Sequence, residues 1–215
     1  MDFDPGPGTF DLTASGSQDA FICKLDRDGR FLWAGRFGGT AETIAGASGS
    51  VALDAGGNVY IVGNFSGTTD FDPGTGTLNL TAALLDAFVA KPDSDGNLIW
   101  AGQLGGASNN RAHHVAVDAG GHVYTVGRAG GPADFDPGPG TFSLTAVTGA
   151  LLDGFISKLD SAGTFVWAGQ LGGTGPDGVH GIAIDGSGNI YISGFFSTTA
   201  GFDPGPGTFT NQSIK

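Results

Sequence analysis

DAFVAKPDSDGNLIWAGQLGG, residues 86–106, holds two short runs of β-branched and aromatic residues on either side of Asp93-Ser94-Asp95-Gly96. A run of that composition, cut by an Asp/Gly turn and then resumed, predicts an antiparallel hairpin. The same stretch stands at 19–39 as DAFICKLDRDGRFLWAGRFGG and at 153–173 as DGFISKLDSAGTFVWAGQLGG. Trp33, Trp100 and Trp167 set the period, since 100 − 33 and 167 − 100 are both 67. Asp19, Asp86 and Asp153 keep the same spacing (86 − 19 and 153 − 86). A second hairpin sits between the copies. SVALD (50–54), HVAVD (114–118) and GIAID (181–185) each run through a Gly-rich turn into NVYIVGNF (58–65), HVYTVGRA (122–129) and NIYISGFF (189–196). A fixed period of this length marks one supersecondary unit repeated in tandem.

Composition agrees with an all-β chain. Gly is 41 of 215 residues, without the triplet period of collagen. Glu42 is the one Glu among 21 acidic residues, so the other 20 (21 − 1) are Asp, which favours turns over helix interiors. The net charge of −12 disfavours nucleic acid and anionic membranes as partners. No apolar run reaches the roughly 18 residues of a membrane span. The single cysteine, Cys23, excludes an internal disulfide and a Cys-based zinc site. Repeat sequence begins at Asp2, so no signal peptide is expected within this chain.

Four short strands per unit predict an all-β fold of β-propeller blades: three four-stranded antiparallel repeats with almost no helix. The chain reads as one repeat domain over 1–215, with units at 2–69, 70–133 and 134–200 and a partial fourth at 201–215. Three blades cannot surround an axis, so an open arc or partial propeller is expected. The chain opens on the second hairpin of one blade (19–37) and ends on the first hairpin of another (181–196). The bare sheet edges so left invite pairing. Remaining blades of a larger chain would cover them, or a homo-oligomer would: two copies supply six blades and three supply nine.

At DAFVAKPDSDGNLIWAGQLGG and HVAVDAGGHVYTVG (114–127) the chain resembles the bacterial SBBP-type (seven-bladed β-propeller) repeat family. The DFDPGPGT insert resembles a variant found in large bacterial surface or secreted proteins. The resemblance implies a propeller fold and an extracellular or cell-surface location, and it brings no catalytic residues with it. Pro92 departs from the pattern, standing where the other units have Leu25 and Leu159. Pro cannot donate to a ladder, so that strand should end early or lie at an edge.

The insert carries one group of candidate site residues. Phe-Asp-Pro-Gly begins at Phe3, Phe71, Phe135 and Phe202. Asp2 and Asp4, Asp70 and Asp72, and Asp134 and Asp136 offer paired hard oxygens for Ca²⁺. The same residues suit Asx-turns, in which the carboxylate caps its own backbone and the Phe anchors the loop. The hairpin-turn acids (Asp26, Asp28, Asp54, Asp93, Asp95, Asp118, Asp160 and Asp185) fit turn chemistry. Positions that break the repeat form the second group: Glu42, Arg111, His113, Asp177 and His180, in the loops from one blade's outer strand to the next blade's inner strand. A metal site from His113, His114 and His180 is a third alternative. His122 replaces Asn58 and Asn189 in a turn and should point elsewhere. The tryptophans recur inside strands, which favours blade-to-blade packing over sugar stacking.

No nucleophile motif or phosphate loop is present. The expected function is a non-enzymatic propeller scaffold or binding segment of a bacterial surface or secreted protein, meeting protein or carbohydrate. The alternatives are a calcium-stabilised lectin-like module and a propeller lyase or glycosidase.

Overall fold

A computed structural model describes residues 1–45, 50–147, 152–204 and 210–212. The described residues contain strands and turns and no helix. A half-blade comes first, β1 (Ala20–Leu25) paired with β2 (Phe31–Gly39). Next, β3 (Thr43–Ala45) and β4 (Val51–Leu53) both pair with β5 (Val59–Asp70). β5 pairs with β6 (Asn79–Pro92), and β6 with β7 (Leu98–Gly106). The order β4-β5-β6-β7 is a complete four-stranded blade. The second blade starts with β8 (Asn110–Val117) and β9 (Val123–Ala129). A small hairpin of β10 (Pro132–Asp134) and β11 (Ser143–Thr145) interrupts it. It resumes with β12 (Asp153–Leu159) and β13 (Phe165–Gly173), giving the order β8-β9-β12-β13. The second half-blade is β14 (Gly178–Ile184) with β15 (Ile190–Phe195). β16 (Thr199–Gly201) and β17 (Thr210–Gln212) form the last small hairpin. Two whole blades with a half-blade at each side is the arrangement the phase of the repeat predicts.

The Phe-Asp-Pro-Gly insert is more than a loop. It is a hairpin that leaves its own blade and pairs with the outer strand of the blade before it. Asp70 and Thr69 pair with Gly38 and Gly39 of β2, Asp134 and Ala133 with Gly105 and Gly106 of β7, and Gly201 and Ala200 with Gly172 and Gly173 of β13. The Gly-Gly that ends each outer strand makes this approach feasible, because a Cβ on Gly39 or Gly173 would collide with the backbone oxygen of Thr68 or Thr199. Sequence reading missed the hairpin because its strands are three residues long or extend β5 and β6 without a break.

The core lies between blades. Phe71, from the insert, is fully buried against Phe65 and Phe88 of its own blade and Phe37 of the preceding half-blade. Trp33 and Trp100 also join neighbouring blades. Their indole N–H groups donate to Ser94 O at 3.0 Å and Ser161 O at 3.1 Å, in the next blade's turn. The ring faces lie on Gly96 and Gly163, which hold φ of 89° and 84°. A side chain at either glycine would need both a strained backbone and the space the indole fills.

A buried polar triad repeats in each whole blade. Tyr60 donates to Asp54, and Lys91 lies 3.6 Å from Asp54 and 4.9 Å over the Tyr60 ring. Tyr124 donates to Asp118, with Lys158 at 3.9 Å from the carboxylate and 4.9 Å over the ring. His122 Nδ1 sits 3.0 Å from Asp118, doing the work of Asn58 on Asp54 and Asn189 on Asp185.

Pro92 corrects an expectation. β6 runs through Pro92 and ends there, as β1 ends at Leu25 and β12 at Leu159. All three pairings shift register just before this last residue, so the regular ladder is already broken where Pro lacks its N–H.

Candidate functional site

His113 and His180 stand inside strands rather than in the loops the sequence suggested. The β8–β9 register shifts between Ala112 and His114, and the β14–β15 register shifts between Val179 and Gly181. Each histidine is therefore the extra residue of a β-bulge on a first, innermost strand. A bulge re-aims its side chain, and these two converge across the junction between the second blade and the second half-blade. Their ring centroids are 4.8 Å apart at 75°. His113 Nδ1 is 2.9 Å from Val179 O, and His180 stacks edge-on against Phe195 at 5.4 Å.

Two arginines frame this pair. Arg111 and Arg128 oppose each other across β8 and β9. The Arg128 guanidinium lies 5.8 Å over the Phe195 ring, and its buried Nε has no protein partner. Burial pushes the His113 imidazole below its ordinary value, and the charges of Arg128, His180 and Arg111 push the same way against the bond to Val179 O. Burial and the charge of Arg111 likewise press the Arg128 guanidinium down. Four nitrogen-bearing side chains and one aromatic face thus share one junction in a chain of net charge −12. His114 stands apart, its Nδ1 accepting from Ile182 N at 2.9 Å. Among the described residues neither His113 nor His180 shares a hydrogen bond with a Ser, Thr or Cys side chain.

Arg128 escaped sequence reading, which searched the loops for asymmetry. Its signal was present in the strand column, where Asn64 and Phe195 hold the equivalent positions, 64 residues before and 67 after (128 − 64 and 195 − 128).

The other two loop candidates lie elsewhere. Glu42 bridges to Gln18 beside the first half-blade, and its carbonyl accepts from Ser66 N at 2.9 Å. Asp177 is buried and closes the loops around it, accepting from Gly173 N and Ser197 N, both at 2.7 Å. It also faces Asp153, whose carboxyl is pushed up by burial and by this like charge.

The insert acids are engaged with their own backbone. Asp70 Oδ1 accepts from Asp72 N at 3.0 Å and Leu78 N at 2.9 Å, while Asp72 Oδ1 accepts from Gly74 N at 2.8 Å. Asp2 and Asp4 repeat this on Asp4 N, Phe10 N and Gly6 N, and Asp134 and Asp136 on Asp136 N, Phe142 N and Gly138 N. A Cβ on Gly76 or Gly140 would run into the second carboxylate of the pair, which fixes the second glycine of each insert. Among the described residues no group of three or more His, Cys, Asp or Glu is placed to hold a metal ion. Capping of this kind needs no cation, so 5 mM CaCl₂ against EDTA should move the melting temperature by less than about 1 °C, the shift expected of only a small stability change. A rise of several degrees in thermal scanning would return these carboxylates to metal binding.

Comparison with known proteins points to the same architecture. Residues 166–202 match the family model described as SBBP, beta-propeller repeat. The match runs from β13 through β15 to β16 and stops at Phe202, where the fourth insert begins. The chain is also 25% identical over 211 residues, 90% of its length, to an uncharacterized WD repeat-containing protein of Acanthamoeba polyphaga mimivirus. It spans 15% of that relative's length. No helix among the described residues is long and apolar enough to cross a membrane. The strand order is that of a partial β-propeller, and the SBBP-type beta-propeller repeat is matched at residues 166–202.

Proposed function

We propose that this chain is a non-catalytic propeller scaffold that binds acidic groups of a protein or carbohydrate partner at Arg111, His113, Arg128 and His180. The observation that carries this is the cluster itself: in an acidic chain, two of the nine Lys and Arg residues and two of the four histidines meet where the repeat is broken. Its aromatic floor, Phe195, and the Arg128 guanidinium that lies over it suit a planar carboxylate. The propeller architecture adds support by fold-level analogy alone, since its loops make a broad rigid face for a partner. The same proposal places the scaffold at a bacterial surface or outside the cell, which immunodetection on intact cells checks.

Binding should depend on pH with a definite sign. The free His113 has its pKa below the ordinary 6.5, so it is neutral at pH 7.5. A bound anion favours the charged imidazole, so affinity should rise as pH falls from 7.5 to 5.5. Calorimetric titration with a glutamate hexapeptide and with a uronic-acid oligosaccharide tests this and separates the two sources of carboxylate. Arg128→Gln should weaken the preferred probe at least about tenfold, about 1.4 kcal/mol. Equal binding of an uncharged analogue, or affinity that is flat with pH, would overturn the assignment.

A further inference from the structure

Asp19, Asp86 and Asp153 share one position of the repeat, yet each meets different partners. Asp19 is paired with Arg36 at 2.8 Å. Asp86 is fully bonded: Oδ2 accepts from Gln103 at 2.6 Å, and Oδ1 from Gly106 N at 2.9 Å and Asn110 Nδ2 at 3.0 Å. Asp153 lacks that full set. Its Oδ2 accepts from Gln170 and Val147 N, but its buried Oδ1 has no hydrogen-bond partner among the described residues. Asp177 explains the gap. It stands where Asn110 stands in the blade before (177 − 110 is 67), so a carboxylate replaces the amide donor. The backbone donor has moved with it: Gly173 N, the equivalent of Gly106 N (173 − 106 is 67), donates to Asp177 at 2.7 Å instead.

Asp153 is 1% exposed and Asp177 2%, so the two acids meet away from water. The strands around them bring no counter-charge to the pair. β11 and β13 carry no charged group. Lys158 and Tyr124 are engaged with Asp118, Tyr191 with Asp185, and His114 with Ile182 N. Arg111, His113, Arg128 and His180 gather at the anion site, and among the described residues none of them bonds to either carboxylate. A buried oxygen without a donor is costly, and a like charge beside it adds to the cost. One proton answers both defects.

We infer that Asp153 and Asp177 form an acid-operated latch at the junction of the second blade with the second half-blade: a proton taken from solvent and shared by the pair supplies the hydrogen that Asp153 Oδ1 lacks and removes the repulsion. The latch holds the loop closure. Asp177 binds Gly173 N and Ser197 N, and a Cβ on the adjoining Gly178 would run into Arg128 and Phe195. Ionised, the pair loosens this closure; protonated, it tightens it. The sign follows from Asp153, whose carboxyl is pushed above the ordinary 3.8 by burial and by the charge of Asp177. A carboxyl raised on folding contributes stability that is complete below its unfolded pKa and is lost as pH rises through the folded one. The latch is independent of the anion site and stands or falls without it.

Carbon-13 NMR of aspartate-labelled protein tests the latch directly. In the wild type one Asp carboxyl should titrate above all the others, in the two coupled steps of an interacting pair. Asp177→Asn, which restores the donor found at Asn110, should abolish that titration. Thermal scanning supplies the second readout. Asp177→Asn should melt at least about 3 °C above wild type at pH 7.5, and the gap should shrink as pH is lowered to 4.5. Asn110→Asp should build the same pair against Asp86, lowering the melting temperature at pH 7.5 and by less at pH 4.5. A wild type in which no Asp carboxyl titrates above the rest would overturn the inference. So would a high titration that persists in Asp177→Asn, or a gap between the variants and wild type that is the same at both pH values.

Discussion

Phe71→Ala should lower the unfolding free energy by about 3–5 kcal/mol, the range for emptying a fully buried Phe site. Phe71 is wholly buried, with ring centroids 4.8 Å from Phe88, 5.0 Å from Phe65 and 6.0 Å from Phe37. Those partners lie on β6, β5 and β2, so one side chain from the insert ties its own blade to the one before. Urea denaturation followed by tryptophan fluorescence measures the loss. The repeat supplies an internal control. Phe3 holds the same place in the first insert, but its partner Phe21, at 4.8 Å, is 47% exposed. Phe3→Ala should therefore cost only about 1 kcal/mol, in proportion to the smaller area buried. Equal losses at the two positions would mean that the insert does not clasp neighbouring blades.

Lys91→Met should cost about 3 kcal/mol, because it removes one partner of a buried ion pair while keeping the aliphatic stem. The Lys91 side chain is 7% exposed and that of Asp54 13%. Lys91 also donates to Ser161 O at 3.0 Å, so the second blade loses a contact too. Burial alone would raise the Asp54 pKa, but hydrogen bonds from Asn58 and Gly56 and the charge of Lys91 together hold it below the ordinary 3.8. A depressed carboxylate contributes stability that is complete above its unfolded pKa and is lost as pH falls through the folded one. Removing Lys91 moves the folded pKa of Asp54 upward, so acid unfolding of the variant should begin at higher pH than in wild type. An unchanged acid midpoint would show that the lysine leaves Asp54 unaffected.

The blades were legible in the sequence because their causes are local. Alternating apolar runs, Asp/Gly turns and a tryptophan every 67 residues specify hairpins whatever surrounds them. Even the phase was readable, since SVALD at 50–54 precedes NVYIVGNF at 58–65 and must be an inner pair. The insert hairpin was not readable. Its pairing partners, Gly38 for Asp70 and Gly39 for Thr69, lie about 30 residues earlier (70 − 38 is 32 and 69 − 39 is 30), and two glycines in a strand look like a break rather than a dock. The site divided along the same line. Arg111, His113 and His180 could be found as departures from the repeat. Their convergence depends on two bulges, and a bulge is a tertiary accommodation with no residue signature here. Arg128 was hidden because a strand column was taken as structural throughout. Asp177 shows the reverse: a non-repeating acid that proved to be a buried loop closure, at the position Asn110 fills in the second blade (177 − 110 is 67).

Amide hydrogen exchange, resolved strand by strand, tests most directly whether two whole blades stand between two halves. β5, β9 and β15 are equivalent strands, flanked on both sides in the first two cases and on one side in the third. The expected result is similar slow exchange in β5 and β9, with exchange in β15 at least about 100-fold faster, as befits an edge that opens locally. Equal protection of all three strands would contradict the division into whole and half blades.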